Sequence, residues 1–119
     1  MMTKTSLVAA VAAACLFAGS ASADPIADFY KGKRVKIIVG ASAGGGYGTY
    51  ARIIAAHLGK YIPGNPRIIA QFMQGAASIR AANYVYNVAP QDGTVLGAVQ
   101  RAIPFLPLYG KKGPKYDAQ

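Results

Sequence analysis

Residues 39–52 read VGASAGGGYGTYAR and decide the expected fold, because they place a glycine-rich turn between an apolar run and an amphipathic segment. The run RVKIIVG at 34–40 is rich in β-branched residues, which is typical of a buried strand. After the turn, apolar side chains recur at helical spacing, and Thr49 is a suitable N-cap for the helix. The expected apolar helix face consists of Ile53, Ile54, His57, Leu58 and Tyr61.

The same order of strand, small-residue turn and helix recurs downstream. RIIAQ at 67–71 predicts a second strand, MQGAAS at 73–78 a second turn, and the pattern from Ile79 a helix that ends before Pro90. TVLGAV at 94–99 predicts a third strand, followed by a loose tail at 106–119. The alternation βαβαβ predicts an α/β fold with a parallel sheet.

The amino terminus has the three parts of a secretory signal peptide. Lys4 gives a positive start, residues 7–18 are uninterruptedly apolar, and Ala21-Ser22-Ala23 forms a small-residue cleavage site. The apolar run is shorter than the roughly 20 residues that cross a bilayer. We therefore expect residues 1–23 to be a signal peptide, and residues 24–119 to be the exported, periplasmic part.

Composition narrows the possible chemistry. The 119 residues carry 13 Lys and Arg against 4 acidic residues, a net charge of +9 that favours anionic partners. The single Cys lies in the predicted signal peptide, and the chain has one His and no Glu, so no metal site is expected. No Ser/His/Asp triad or carboxylate pair is recognisable, so we expect neither catalysis nor a cofactor.

Both small-residue turns lie where a strand ends and a helix begins, a place at which exposed N–H groups and the helix dipole attract anions. Residues 46–51 match the dinucleotide pattern G-x-G-x-x-A, but no acidic residue follows the second strand to hold a ribose. Residues 40–45 have P-loop spacing, but Gly46-Tyr47 stands where Lys-Ser/Thr is required. A site for a small carboxylate and a purely structural role for the glycines both remain open.

Four stretches resemble a known family. They are FYKGKRVKIIVG, GGGYGTYARIIAAHLGKYIPGNP, QGAASIRAANYVYNVAPQDGTVLG and RAIPF, in family order from Phe29 to Phe105. They resemble the periplasmic substrate-binding proteins of tripartite tricarboxylate transporters, also called Bug-type receptors. The resemblance implies a two-lobed α/β protein that closes on a small organic carboxylate and delivers it to a membrane permease.

By this resemblance the ligand carboxylate is held by backbone amides and ordered water at the two turns. The chain matches part of the first lobe, so we expect a truncated half-lobe of a periplasmic-binding-protein-like fold with impaired binding. It also departs from the family pattern at Gly48, where an Asp is usual, and at Gln74 and Ala77, where Pro and Gly are usual. The predicted ligand-binding residues are Ala43, Gly44, Gly45, Gly46, Tyr47, Gly48, Thr49, Gly75, Ala76, Ala77, Ser78 and Arg101.

Two alternatives to the transport hypothesis stay open. One is a small secreted basic interaction protein, although export and scattered charges argue against nucleic acid as its partner. The other is a nonfunctional remnant of a longer gene.

Overall fold

A computed structural model describes residues 24–117, so the predicted signal peptide at 1–23 lies outside the described residues. Three helices and three strands alternate along this part, and short 3₁₀ turns follow or precede them. The elements are α1 (Pro25–Tyr30), β1 (Arg34–Val39), α2 (Gly46–Leu58), β2 (Arg67–Phe72), α3 (Ile79–Asn87) and β3 (Val95–Ala98), with 3₁₀ turns at Gly59–Tyr61, Ala76–Ser78 and Ile103–Phe105.

The strands form a parallel sheet in the order β2-β1-β3. Arg34 to Val39 pair in register with Arg67 to Phe72 on one side, and Lys36 to Val39 pair with Val95 to Ala98 on the other. The predicted α/β class with a parallel sheet is confirmed. Each predicted strand agrees with the observed one to within one residue at either end.

Helices cover both faces of the sheet. Val35, Ile37 and Val39 alternate along β1 and pack with Ala51 of α2 in the main core cluster. Ile38 is buried on the opposite face and pairs with Gly97 of β3. A β-carbon on Gly97 would lie 3.6 Å from the side chain of Val85, so α3 packs against this face. Because the chain runs from β1 outward to β2 and then back across to β3, the strand order reverses direction at β1.

The apolar face predicted for α2 points largely away from the sheet. The helix instead buries Gly48 and Ala51, and the side chains of Ile53 and Ile54 are 53% and 48% exposed. Small residues occupy the sheet-facing positions because they let the helix backbone approach the strands closely. Hydrophobic periodicity does not predict this, since it depends on the polarity of the side chains and not on their size.

The start of two helices also differs from expectation. Helix α1 was not predicted, yet the carboxylate of Asp24 accepts hydrogen bonds from the N–H groups of Ile26 and Ala27, and Pro25 occupies the first turn. Helix α2 begins at Gly46, with Gly45 as its N-cap in place of Thr49.

The segment expected to be a loose tail follows α3 over part of its length. Asn83 donates to the carbonyl of Gly113 at 2.9 Å and accepts from the N–H of Lys115 at 2.7 Å. Asn87 donates to the Lys115 carbonyl at 2.7 Å, so successive turns of α3 bind residues 113–115. None of the helices in residues 24–117 is long and apolar enough to cross a membrane.

Candidate anion-binding site

Two loops meet at the carboxyl edge of the sheet. We call residues 40–45, after β1, the first loop, and residues 73–78, after β2, the second loop. Their parent strands are hydrogen-bonded neighbours, and the hydroxyl of Ser78 donates to the carbonyl of Gly40 at 2.8 Å. The two predicted turns therefore lie at one edge of the sheet and in direct contact.

The amino terminus of α2 is open at this edge. Gly45 has an extended N-cap conformation, with φ −85° and ψ 172°, and no side chain caps the helix among the described residues. The first N–H groups of an α-helix have no partner inside the helix, so they face outward with the positive end of the helix dipole. Gly46 is exposed, and no atom lies within 4 Å of the place where its β-carbon would be.

The second loop has an unusual backbone. Gly75 has φ 141°, and Ala76, Ala77 and Ser78 follow with φ of 45°, 50° and 74°, a left-handed turn made of residues that carry side chains. L-residues pay roughly 1–2 kcal/mol each for this conformation. No side chain in residues 24–117 caps α3, whose N-cap is Ser78.

Ser78 and Gly48 lie beneath the surface of the site. Ser78 is 0% exposed, and its Oγ is engaged with Gly40 and with the N–H of Gln100. A β-carbon on Gly48 would lie 2.5 Å from the Ser42 carbonyl oxygen and 2.6 Å from that of Ala43. Both residues thus shape the loops from within, while the other predicted residues are exposed or half-buried: Ala43, Gly44, Gly45, Gly46, Tyr47, Thr49, Gly75, Ala76, Ala77 and Arg101.

Arginines fold back over both loops. The Arg52 guanidinium donates to the Ala43 carbonyl of the first loop and to the Thr49 hydroxyl, and that of Arg80 donates to the Gln74 carbonyl of the second. Sequence analysis left both arginines outside the predicted site. Arg52 is the seventh residue of α2 and Arg80 the second residue of α3. Their place in the first two turns after each loop was the signal available, since a long side chain there can reach back to its own loop.

Tyr47 joins the first helix to the chain that leaves β3. Its hydroxyl accepts a hydrogen bond from the backbone N–H of Arg101 at 3.4 Å, and both residues are exposed. In open α/β sheets, ligands bind outside the carboxyl ends of the strands where the strand order reverses. Tyr47 and Arg101 lie at that reversal, between β1 and β3.

Three of the four acidic residues lie in segments that precede β1 and β3, at the amino edge of the sheet. Asp24 and Asp28 belong to α1, before β1, and Asp92 lies in the turn before β3. The hydroxyl of Thr94 and then its N–H lower the pKa of Asp92. The carboxyl edge carries the two loops and three arginines, and none of these three carboxylates lies there.

The two loops are exposed along most of their length. Cavities lined by described residues also lie elsewhere, one of them along the outer face of α2 and the 3₁₀ turn after it, at Ile53, Ile54, His57, Leu58 and Tyr61. No group of three His, Cys, Asp or Glu side chains within residues 24–117 could hold a metal ion. The arrangement offers backbone amides and guanidinium groups, which bind anions without covalent chemistry.

Comparison of the chain with protein families, with curated proteins and with solved structures gave no match.

Proposed function

We propose that this chain is a periplasmic substrate-binding component of the tripartite tricarboxylate transporter type, which captures small organic carboxylates without covalent chemistry and hands them to a membrane permease. The resemblance of residues 29–105 to Bug-type receptors supports the class of protein. The chemistry of the carboxyl edge supports the class of ligand.

The observation that carries the proposal is the contact between the two loops that lead into helices without a side-chain cap, at one edge of the sheet. Helices α2 and α3 each begin without a side-chain cap, and Ser78 brings the second loop to within hydrogen-bonding distance of Gly40. A carboxylate has two oxygens and can accept hydrogen bonds from several backbone N–H groups at once.

Charge supports the same ligand class. Arg52 and Arg80 cover the two loops and Arg101 leaves β3 at the same edge, whereas Asp24, Asp28 and Asp92 belong to the segments that precede the strands. The combination favours a multiply charged anion over a neutral solute, because its second and third carboxylates can approach the guanidinium groups.

Isothermal titration of the full chain against citrate, tricarballylate and succinate tests the proposal, with the uncharged methyl esters of the same acids as controls. We expect the acids to bind weakly, in line with the impaired binding expected of a half-lobe, and the esters to release no heat. The absence of heat with every acid would refute the proposal. Salt-sensitive retention on heparin without carboxylate binding would favour a small basic interaction protein instead.

A matched pair of variants at Gly46 tests whether backbone amides make the contact. Gly46→Pro removes an N–H group, whereas Gly46→Ala keeps it. Proline suits this position because Gly46 is the first residue of α2, and the extended conformation of Gly45 is one that a following proline allows. We expect Gly46→Pro to weaken citrate binding by about tenfold or more, the value of one hydrogen bond to a charged group, and Gly46→Ala to bind like the unmodified chain.

A further inference from the structure

The side chain of Ser78 uses its whole hydrogen-bonding capacity inside the protein. It is the one polar side chain among the described residues that is fully buried. Its Oγ donates to the Gly40 carbonyl at 2.8 Å and accepts from the Gln100 N–H at 3.2 Å. A hydroxyl has a single proton to donate, so Ser78 has none left for a ligand.

These two bonds connect the exits of all three strands. Gly40 directly follows β1, Ser78 closes the second loop after β2, and Gln100 lies just beyond β3. The strand ladder continues up to this point, because the Gly40 N–H donates to the Ala98 carbonyl at 3.0 Å and the Met73 N–H to the Val39 carbonyl at 2.8 Å. The hydroxyl therefore lies at the junction of three chain segments far apart in sequence.

Gly40 and Ser78 fit each other sterically. A β-carbon on Gly40 would overlap the Ser78 Oγ and lie 2.6 Å from its Cβ and 3.0 Å from its Cα. Ser78 in turn has a left-handed backbone, with φ 74°, which few residues other than glycine adopt readily. Residue 40 leaves the space that residue 78 fills, and the buried bonds of Ser78 offset its strained backbone.

We infer that Ser78 is a positioning residue that couples the first loop to the second, so that the uncapped starts of α2 and α3 keep a fixed spacing. The coupling is a property of the free chain. Its consequence for carboxylate affinity rests on the proposed function, since Ser78 acts through the loop amides and does not touch the ligand.

A double-mutant cycle in the full chain tests the coupling without any ligand. Gly40→Ala forces a methyl group against Ser78, and we expect a fall in Tm of roughly 5–20 °C, as for an overpacked core. Ser78→Gly removes the two nearest obstructing atoms, Oγ and Cβ, leaves only Cα at 3.0 Å, and relaxes the backbone. Gly40→Ala/Ser78→Gly should therefore melt within about 3 °C of Ser78→Gly alone. Additive decrements would overturn the inference.

Gly46→Ala is the stability control for Gly40→Ala, because it adds the same methyl group where no atom lies within 4 Å. If Gly40→Ala does not fold, hydrogen exchange in Ser78→Ala decides the question. This variant keeps the β-carbon and removes the hydroxyl. The amide of Gln100 should then exchange severalfold faster, up to about tenfold, in line with the loss of one hydrogen bond. An unchanged rate would overturn the inference.

Carboxylate titration separates this inference from the proposed function. We expect Ser78→Ala to bind citrate about tenfold more weakly while remaining folded, as judged by circular dichroism. Equal affinity in Ser78→Ala and the unmodified chain would overturn the positioning role and leave the proposed function standing. An unmodified chain that binds no carboxylate would refute the proposed function, and the cycle in the free chain would still decide the coupling.

Discussion

The first and second loops occupy equivalent places after neighbouring strands, yet they are built in opposite ways. The first loop and the start of α2 contain five glycines, at positions 40, 44, 45, 46 and 48, and none of them has a positive φ. The second loop contains one glycine, and four successive residues, Gly75 to Ser78, have positive φ. Of the two loops, the glycine-rich one has no positive φ at its glycines, and the left-handed one consists mainly of residues other than glycine.

Close packing explains two of these five glycines, Gly40 and Gly48, whereas Gly44 and Gly46 border open space. Gly40 makes room for Ser78, and Gly48 lets the loop carbonyls of Ser42 and Ala43 lie against α2. In the second loop the buried contacts of Ser78 impose the backbone conformation on residues that do not favour it. Gly40 and Gly48 therefore mark close packing, and the left-handed geometry of the second loop arises from tertiary contacts.

The largest expected effect breaks the packing of the first loop. Gly48→Ala should lower the free energy of unfolding by about 1–3 kcal/mol, because the new methyl group meets two carbonyl oxygens that cannot move independently of the backbone. Urea denaturation measures the change. Gly44→Ala is the control, since its methyl group enters open space at ordinary φ. Equal stability of the two variants would show that the first loop is not held by close contact.

A second prediction sharpens the comparison through the helices that follow the loops, because α3 binds residues 113–115 of the tail. Asn83→Ala should cost about 1 kcal/mol, since it removes two exposed hydrogen bonds to Gly113 and Lys115. Trypsin should then cut faster after Lys112 and Lys115. Asn83→Asp keeps the acceptor for the Lys115 N–H, so its cleavage rate should fall between those of the unmodified chain and Asn83→Ala. Unchanged cleavage in Asn83→Ala would contradict the observed docking.

A third prediction reverses sign between the loops. Ala77→Gly should raise the free energy of unfolding by up to about 1 kcal/mol, because glycine adopts φ 50° without the cost that alanine bears. Ala43→Gly in the first loop should lower it by about 0.5–1 kcal/mol, since φ is not positive there and only unfolded-chain entropy is gained. Thermal denaturation of the pair measures the difference, and the same sign in both loops would refute the contrast.

The smallest effect is expected at the opposite edge of the sheet. The Thr94 hydroxyl and N–H lower the pKa of Asp92 below its usual 3.8, so its contribution to stability is present above that pH and is lost as the pH falls through the lowered value. Thr94→Val should move the pKa of Asp92 upward, as followed by NMR titration of its carboxyl carbon. Neither loop should respond, so loop signals that titrate with Asp92 would contradict the separation of the two edges.

Sequence patterns predicted the strands because runs of β-branched residues indicate buried strands. The alternation of strands and helices predicted that the strands are parallel. Helix α1 was also readable, since Asp24 and Pro25 form an N-terminal signature that sequence analysis passed over. The start of α2 was not, because a glycine N-cap leaves no side-chain signal. Its outward-facing isoleucines were mispredicted because close approach to the sheet selected Gly48 and Ala51.

The sequence predicts where the candidate site lies in the fold, but not which of its residues face solvent and which pack inside the loops. The carboxyl edge follows from the order of strands, and the exposed residues around Gly46 and Ala76 lie there. The inward roles of Gly48 and Ser78 depend on atoms in other segments, and Ser78 and Gly40 are 38 residues apart. Local sequence carries no record of such a contact, so only three-dimensional structure separates the residues that face solvent from those that hold the loops.

The outward isoleucines of α2 have a consequence for how the protein behaves in solution. Ile53, Ile54 and Tyr61 leave an apolar strip that is 53%, 48% and 74% exposed, on a chain whose net charge is +9. Mutual repulsion keeps copies apart in dilute buffer, but added salt shortens its range to about 8 Å at physiological ionic strength. Light scattering should therefore show the second virial coefficient turning from positive to negative as sodium chloride is added.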